Sequence, residues 1–175
     1  AELAAARSGK PVYVGTVERL PPEVAREKPD LVCLFDVLEH IQDDEGALDV
    51  LRNWLADGGQ LALSVPAYRF MWGQQDVVNM HCRRYTRGEL RRKLERHGFA
   101  VVRATYFNFV LFPFIAAFRL LAKLPPRPNR PAHSDFDYSA GPLDRLLYGL
   151  FRVEWPFLKY VDAPFGGSCF VLARK

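Results

Sequence analysis

The sequence predicts an α/β protein built on a mostly parallel sheet, and three features carry that expectation. Asp30-Leu-Val-Cys-Leu-Phe-Asp36 and Gln60-Leu-Ala-Leu-Ser-Val-Pro66 are short, nearly continuous apolar runs. That is the pattern of strands buried on both faces. Between them Ala47, Leu48, Val50, Leu51 and Leu55 recur at helical spacing. A second strand–helix–strand unit follows, and two such units in succession imply right-handed crossovers.

Taken in order, residues 1–8 are rich in Ala and Leu and close at Gly9 as a helix end. Pro11-Val-Tyr-Val-Gly15 predicts a short strand. Glu18 to Lys28, punctuated by Pro21-Pro22, predicts a loop or broken helix. The helix after the 30–36 strand ends at Asp57-Gly58-Gly59, and Asp36 or Asp43 is its candidate cap. Residues 67–85 are irregular. Thr86-Arg-Gly-Glu89 is a capping box, and Leu90 and Leu94 form the buried stripe of a helix ending at His97-Gly98. Phe99 to Phe107 is a strand. Phe109 to Ala122 is apolar but broken by Pro113 and Arg119, too short a run for a membrane span. Prolines 125, 126, 128 and 131 mark 125–141 as a linker. Gly141-Pro142 opens a helix with Leu143, Leu146, Leu147, Leu150 and Phe151 on one face, and Gly166-Gly167 leads into a last strand, Ser168 to Ala173. This divides the chain into a core, 1–108 with 166–175, and a helical insertion or cap, 109–165.

With 175 residues, 49% hydrophobic and 25% charged, the chain can bury one core, which excludes a disordered or repeat protein. Cys33, Cys82 and Cys169 form no C-x-x-C pair. This argues against a disulfide framework and a zinc ribbon, predicts no metal site and fits a reducing, cytoplasmic location. The net charge of +4 hides an asymmetry: residues 1–60 carry 6 basic and 12 acidic side chains, residues 61–130 carry 13 and 3. Much of the positive excess is Arg83-Arg84 and Arg87 to Arg96. Such a patch suits a phosphorylated substrate, a membrane surface or a nucleic acid, or is a solvated helix face. No nucleic-acid module is recognisable, so that partner ranks low.

Ligands of open parallel sheets bind beyond the carboxyl ends of the strands. That rim holds Gly15-Thr16-Val17-Glu18 after the first strand, Asp36-Val37-Leu38-Glu39-His40 after the second, and Ser64, Pro66 and Tyr68 after the third. Asp36 and Glu39 can accept from a ribose or an amine, and His40 can move a proton near neutral pH. Each has a plainer role open to it. Asp36 can cap a helix, Glu39 can be a first-turn acid favoured by the helix dipole, and His40 can be a hydrogen-bonded structural residue. Arg83-Arg84-Tyr85 can read a phosphate or anchor its loop to nearby acids.

Gly15-Thr-Val-Glu-Arg-Leu-Pro21, then Pro29-Asp-Leu-Val-Cys-Leu-Phe-Asp-Val-Leu-Glu-His-Ile41, resembles class I S-adenosylmethionine-dependent methyltransferases of the type 11/12-like kind. The resemblance continues through Asp57-Gly58-Gly59 to Pro66, Asp76, His81-Cys-Arg-Arg-Tyr-Thr86, His97-Gly98-Phe99 and the final strand, nearly the whole chain. It implies a Rossmann-like three-layer αβα sheet and S-adenosylmethionine as cofactor. It implies that Gly15, Thr16, Val17 and Glu18 lie at the adenine side, and that Asp36, Val37 and Leu38 border the methionine part. His40 and His81 would be catalytic on the acceptor side, with Tyr68, Arg83, Arg84 and Tyr85 binding substrate. The His81–Thr86 stretch resembles members acting on lipid- or glycan-linked acceptors; a small-molecule acceptor is equally implied.

The chain departs from that family in two places. Thr16 stands where an acid usually accepts from the adenine amino group. The opening strand, Gly-rich turn, helix and second strand have no counterpart, a unit of roughly 30 residues or more. The family's strand order is 3-2-1-4-5-7-6, so the 30–35 strand loses its neighbour and becomes an apolar edge, a template for pairing. The expectation is that an isolated chain does not keep this fold unaltered. Residues 11–16 would slide beside 30–35, two chains would pair as a homodimer through the edge, or a preceding segment would complete the sheet. The insertion, through 109–158, would cover the acceptor or touch a membrane surface, with Arg119 and Lys123 suited to lipid headgroups. The competing function is a cofactor-binding-deficient fragment acting as a non-catalytic interaction module. A nicotinamide dehydrogenase ranks below both, since it needs the same absent Gly-rich turn.

Overall fold

The computed structural model describes residues 2–122 and 142–175. The predicted 125–141 linker, and the side chains of Leu143, Leu146, Leu147 and Leu150, lie outside the described residues. Four strands form one sheet: β1 (Leu31–Phe35), β2 (Gln60–Pro66), β3 (Ala100–Phe107) and β4 (Ser168–Arg174), in the order β1-β2-β4-β3. β1 and β2 are parallel, and β4 runs antiparallel between β2 and β3. The α-helices are α1 (Glu2–Ser8), α2 (Pro22–Ala25), α3 (Asp44–Trp54), α4 (Gln74–Val78), α5 (Arg87–Arg96), α6 (Phe112–Ala122) and α7 (Pro142–Leu158).

Local chemistry sets the helix ends. The Asp43 carboxylate accepts from the Gly46 amide at 2.9 Å, so Asp43, not Asp36, caps α3. The Asp57-Gly58-Gly59 turn that follows needs the left-handed backbone of Gly58, φ +77°. At α5 the predicted capping box forms: Thr86 Oγ1 accepts from the Glu89 amide, and the Glu89 carboxylate accepts from the Thr86 amide.

Burial is uneven across the sheet. One face carries Val32, Leu34, Leu61, Leu63, Val65, Val171, Ala173 and Cys169, which form a single core with Leu48 and Leu51 of α3 and Leu90 and Leu94 of α5. α7 stands over part of the opposite face. A cavity of about 670 Å³ is lined there by Phe35, Asp36, Ser64, Thr105 and Phe170 of the sheet and by Phe151, Trp155 and Leu158 of the helix. Arg103 of β3 ties the two together, donating to Asp162 Oδ1 at 2.7 Å and to the Leu158 carbonyl. The Glu154 carboxylate accepts from the Val110 amide at 2.8 Å. No helix among the described residues is long and apolar enough to cross a membrane.

Three expectations are corrected. Residues 11–16 form no strand and pair with nothing in the sheet, because a short strand gains stability only from a neighbour, and β1 does not accept it. β1 is therefore a bare edge in the single chain. It is buried on one face only: Val32 and Leu34 point into the core, whereas Leu31 is 52% and Phe35 57% exposed. Arg119 does not turn toward a lipid surface; it donates to the Met71 carbonyl at 2.5 Å and lies 3.6 Å from Asp76. Lys123 lies outside the described residues.

Candidate active site

The backbone is strained at the carboxyl ends of the strands and at Met80 (φ 55°), next to His81. Asp36, Tyr68 and Asn108, following β1, β2 and β3, all have positive φ (52°, 57° and 58°). Non-glycine residues adopt this region at a cost, and such residues gather at functional rims. The Asp36 amide donates to the Ser64 carbonyl at 3.0 Å, and Ser64 Oγ donates to Asp36 Oδ1 at 3.2 Å, which fixes this acid at the mouth of β1 and β2. Asp36 and Val37 are exposed. Leu38 is wholly buried in the core, so its side chain packs the fold and does not face the rim.

A 3₁₀ turn, Leu38–His40, follows and carries the centre of the site. The loop bearing His81 docks directly onto it: the Cys82 amide donates to the Glu39 carbonyl at 2.7 Å, and an Arg83 guanidinium nitrogen to the Gln42 carbonyl at 2.6 Å. This brings the two predicted catalytic histidines together. The His40 and His81 rings meet edge to face with centroids 4.7 Å apart. Glu39 lies beside them, 0% exposed, with its Oε1 4.0 Å from His40 Nε2. Among the described residues neither Glu39 carboxylate oxygen has a hydrogen-bond partner. Burial pushes its pKa up to about 7, with the nearby Asp36 and Asp76 charges adding to the rise. His40, His81 and Glu39 each place a donor atom within 4.8 Å of the others, a grouping that the expectation of no metal site did not anticipate.

Behind His81 stands Asp76, buried and fully engaged. Its Oδ1 meets His81 Nδ1 at 2.9 Å and accepts from Arg84 Nε at 2.6 Å; its Oδ2 accepts from the Gly73 amide at 2.8 Å. Burial opposes its charge, but the bonds from Arg84, Gly73 and His81 outweigh it and hold its carboxyl below the usual range.

The remaining predicted residues divide. Arg83 pairs with Asp44; Arg84 is buried on Asp76 and the Ala67 carbonyl (3.0 Å); Tyr85 is buried and donates to Asp44 at 2.7 Å. Their polar groups are spent inside the chain. Tyr68 stacks on Tyr106 at 5.1 Å and also contacts Phe70 and Phe112, giving the rim an aromatic wall. Burial, together with Tyr106, raises the Tyr68 hydroxyl pKa. Gly15, Thr16 and Glu18 are exposed in the extended arm before α2, and Val17 packs on the core. The basic patch is largely neutralised: Lys93 and Arg96 pair with Asp44 and Glu45, Arg91 with Glu95, and Arg69 with Glu89. Sequence reasoning weighed Glu39 only as an acceptor from a ribose or an amine, and gave Asp76 no role. Both stood in the quoted stretches, but their partners, or lack of them, depend on long-range docking.

The sheet order β1-β2-β4-β3, with its last strand antiparallel, matches the 4-5-7-6 run of the strand order that the resemblance implies. The profile described as "Methyltransferase domain" matches residues 5–104, and the chain belongs to that family. No curated protein matches the chain in sequence. Among solved structures it is similar to a chain from the complex of the Haloferax volcanii Trm112 methyltransferase activator with a methyltransferase (16% identity, TM-score 0.55). Coverage there is 98% of this chain and 66% of that one. It is similar to the cyclase SpnF (16%, TM-score 0.55, 99% and 60% covered). A third likeness is to an S-adenosylmethionine-dependent methyltransferase from Mesorhizobium loti (16%, TM-score 0.51, 99% and 75% covered). The chain thus spans 66% and 60% of the length of the first two. That a cyclase shares the fold shows why activity has to be argued from the site.

Proposed function

We propose that the protein transfers the methyl group of S-adenosylmethionine to an oxygen, nitrogen or carbon nucleophile of a small-molecule, lipid- or glycan-linked acceptor. The observation that carries this reading is the contact of His81 with His40, in the turn that follows Asp36, at the carboxyl rim of a methyltransferase-family sheet. The residues present fit one flank of the cofactor. Asp36 is an exposed acid held rigidly by Ser64, suited to its amino-acid end, and Val37 offers an apolar neighbour. Gly15, Thr16, Val17 and Glu18 would meet the adenine. When bound, the cofactor supplies a methyl group already activated by the sulfonium, so the chain's work is orientation and water exclusion.

His40 or His81 takes the proton of a hydroxyl acceptor. Tyr68, with Phe70, Tyr106 and Phe112, walls the acceptor side. Arg83, Arg84 and Tyr85 act by positioning: Arg83 ties the His81 loop to the Gln42 carbonyl beside the Glu39 turn, Arg84 holds Asp76 behind His81, and Tyr85 anchors the loop to Asp44. Exposed Phe114, Ile115 and Leu120 of α6 and Trp155 and Phe157 of α7 support an acceptor with a lipid tail, or contact with a membrane surface. The bare β1 edge is where a second copy would pair.

Calorimetric titration of this chain with S-adenosylmethionine tests the reading. Saturable binding that Asp36→Asn weakens at least about tenfold, about 1.4 kcal/mol, is the expected result. Absence of both heat and thermal shift would overturn it for this chain. Binding recovered in a longer form would then make this chain a cofactor-binding-deficient fragment of a methyltransferase, whereas no binding in either form would favour the interaction-module reading.

A further inference from the structure

We propose that Glu39, His40 and His81 form a binding site for a divalent transition-metal ion. Each residue offers one donor atom, and all three donors lie within 4.8 Å of one another. Glu39 is the key observation. It is wholly buried, and among the described residues neither carboxylate oxygen has a hydrogen-bond donor. A buried carboxylate without donors is costly, and a cation is the partner that removes the cost.

The imidazoles are arranged as ligands. His81 Nδ1 is bonded to Asp76 at 2.9 Å, which leaves Nε2 as its ligand atom, the carboxylate–histidine pairing that orients metal-binding imidazoles. Asp76 is itself saturated by Arg84, the Gly73 amide and His81, so it positions a ligand and is not one. The Cys82–Glu39 backbone bond fixes the two ligand-bearing segments to each other. His40 is 39% exposed in its side chain and can rotate. Metal–ligand bonds of about 2.0–2.2 Å call for donors closer together by roughly 1 Å, which rotation of His40 and settling of Glu39 supply.

The donor set selects the ion class. Two imidazoles and one carboxylate suit zinc, iron, cobalt or manganese, whereas magnesium and calcium prefer all-oxygen shells. Three protein ligands leave coordination positions open toward the exposed His40 side, for water or an oxygen ligand. This goes beyond the proposed base role, because a ring nitrogen holding a metal accepts no proton.

The test is a Co2+ titration of the chelator-treated full chain without S-adenosylmethionine, read by visible absorption, with Zn2+ as competitor. Expected is one saturable site, displaced by Zn2+, with affinity falling more than about 100-fold in Glu39→Gln and His81→Ala and about 10–100-fold in Asp76→Asn. His97→Ala is the control: His97 meets Asp49 at 2.6 Å on another face, and its loss should change nothing. His40→Ala removes a half-exposed side chain and carries the test if a buried variant fails to fold, as read by circular dichroism. No saturable absorption up to millimolar Co2+, binding that survives Glu39→Gln and His40→Ala, equal loss in His97→Ala, or Mg2+ competing as well as Zn2+ would overturn the proposal. The readout needs no cofactor, so its failure leaves the methyl-transfer reading standing, and the calorimetric failure leaves this one.

Discussion

Glu39 and Asp44 sit five residues apart, both buried, in opposite surroundings. Asp44 is 3% exposed and richly served: Lys93 Nζ and the Tyr85 hydroxyl donate to its Oδ2 at 2.7 Å, and Arg83 pairs with its Oδ1. Burial works against its charge, yet the bonds from Lys93 and Tyr85 hold its carboxyl below the usual range. Glu39 is more deeply buried, no hydrogen bond to its carboxylate is formed among the described residues, and burial pushes its carboxyl up to about 7. The difference separates two uses of a buried acid. Asp44 knits α3, α5 and the 83–85 loop together, and its charge is part of the fold. Glu39 stands at the strained rim beside two imidazoles, where its burial costs stability and serves the site.

Breaking the Asp44 side should have the largest effect. Asp44→Asn takes the counter-charge from Arg83 and leaves Lys93 only the half-exposed Glu45, and the expected loss is about 3–5 kcal/mol in equilibrium denaturation. A loss well under about 1 kcal/mol would place Asp44 among ordinary surface pairs. Acid sharpens the same point. The folded-state pKa of Asp44 is depressed, so between its folded and unfolded values the unfolded chain binds more protons. Its contribution is therefore present above the unfolded value of about 3.9 and lost as pH falls through the folded one. Denaturation curves of the native chain and Asp44→Asn should converge as pH is lowered through that window; a gap that stays constant would contradict the charge-based account.

The fold was legible wherever a pattern was local. The apolar runs of β1 and β2, the α3 periodicity and the Thr86–Glu89 box each depend on residues a few positions apart, and each forms as read. Residues 11–15 have a strand-like composition, but a strand is decided by its neighbour, and none is present for it. The two-sided burial expected of β1 failed for a related reason: the run is apolar enough, but among the described residues Leu31 and Phe35 stay more than half exposed, Phe35 at the wall of the α7 cavity. In the site, His40 and His81 were named from their places in the chain. That they touch follows from the Cys82–Glu39 docking, which spans 43 residues and leaves no periodic trace. Arg83, Arg84 and Tyr85 read equally as substrate ligands or anchors, and only the distant positions of Asp44 and Asp76 show where their polar groups go.

The smallest free-energy change is also the most direct measurement. Glu39→Gln and Asp44→Asn are to be compared by equilibrium denaturation of metal-free protein at slightly alkaline pH. The account predicts opposite signs: Asp44→Asn is destabilised, whereas Glu39→Gln is as stable as the native chain or gains on the order of 1 kcal/mol, because it relieves a buried charge without donors. A Glu39→Gln variant destabilised as much as Asp44→Asn would show that Glu39 holds the fold, and would contradict its assignment to the site.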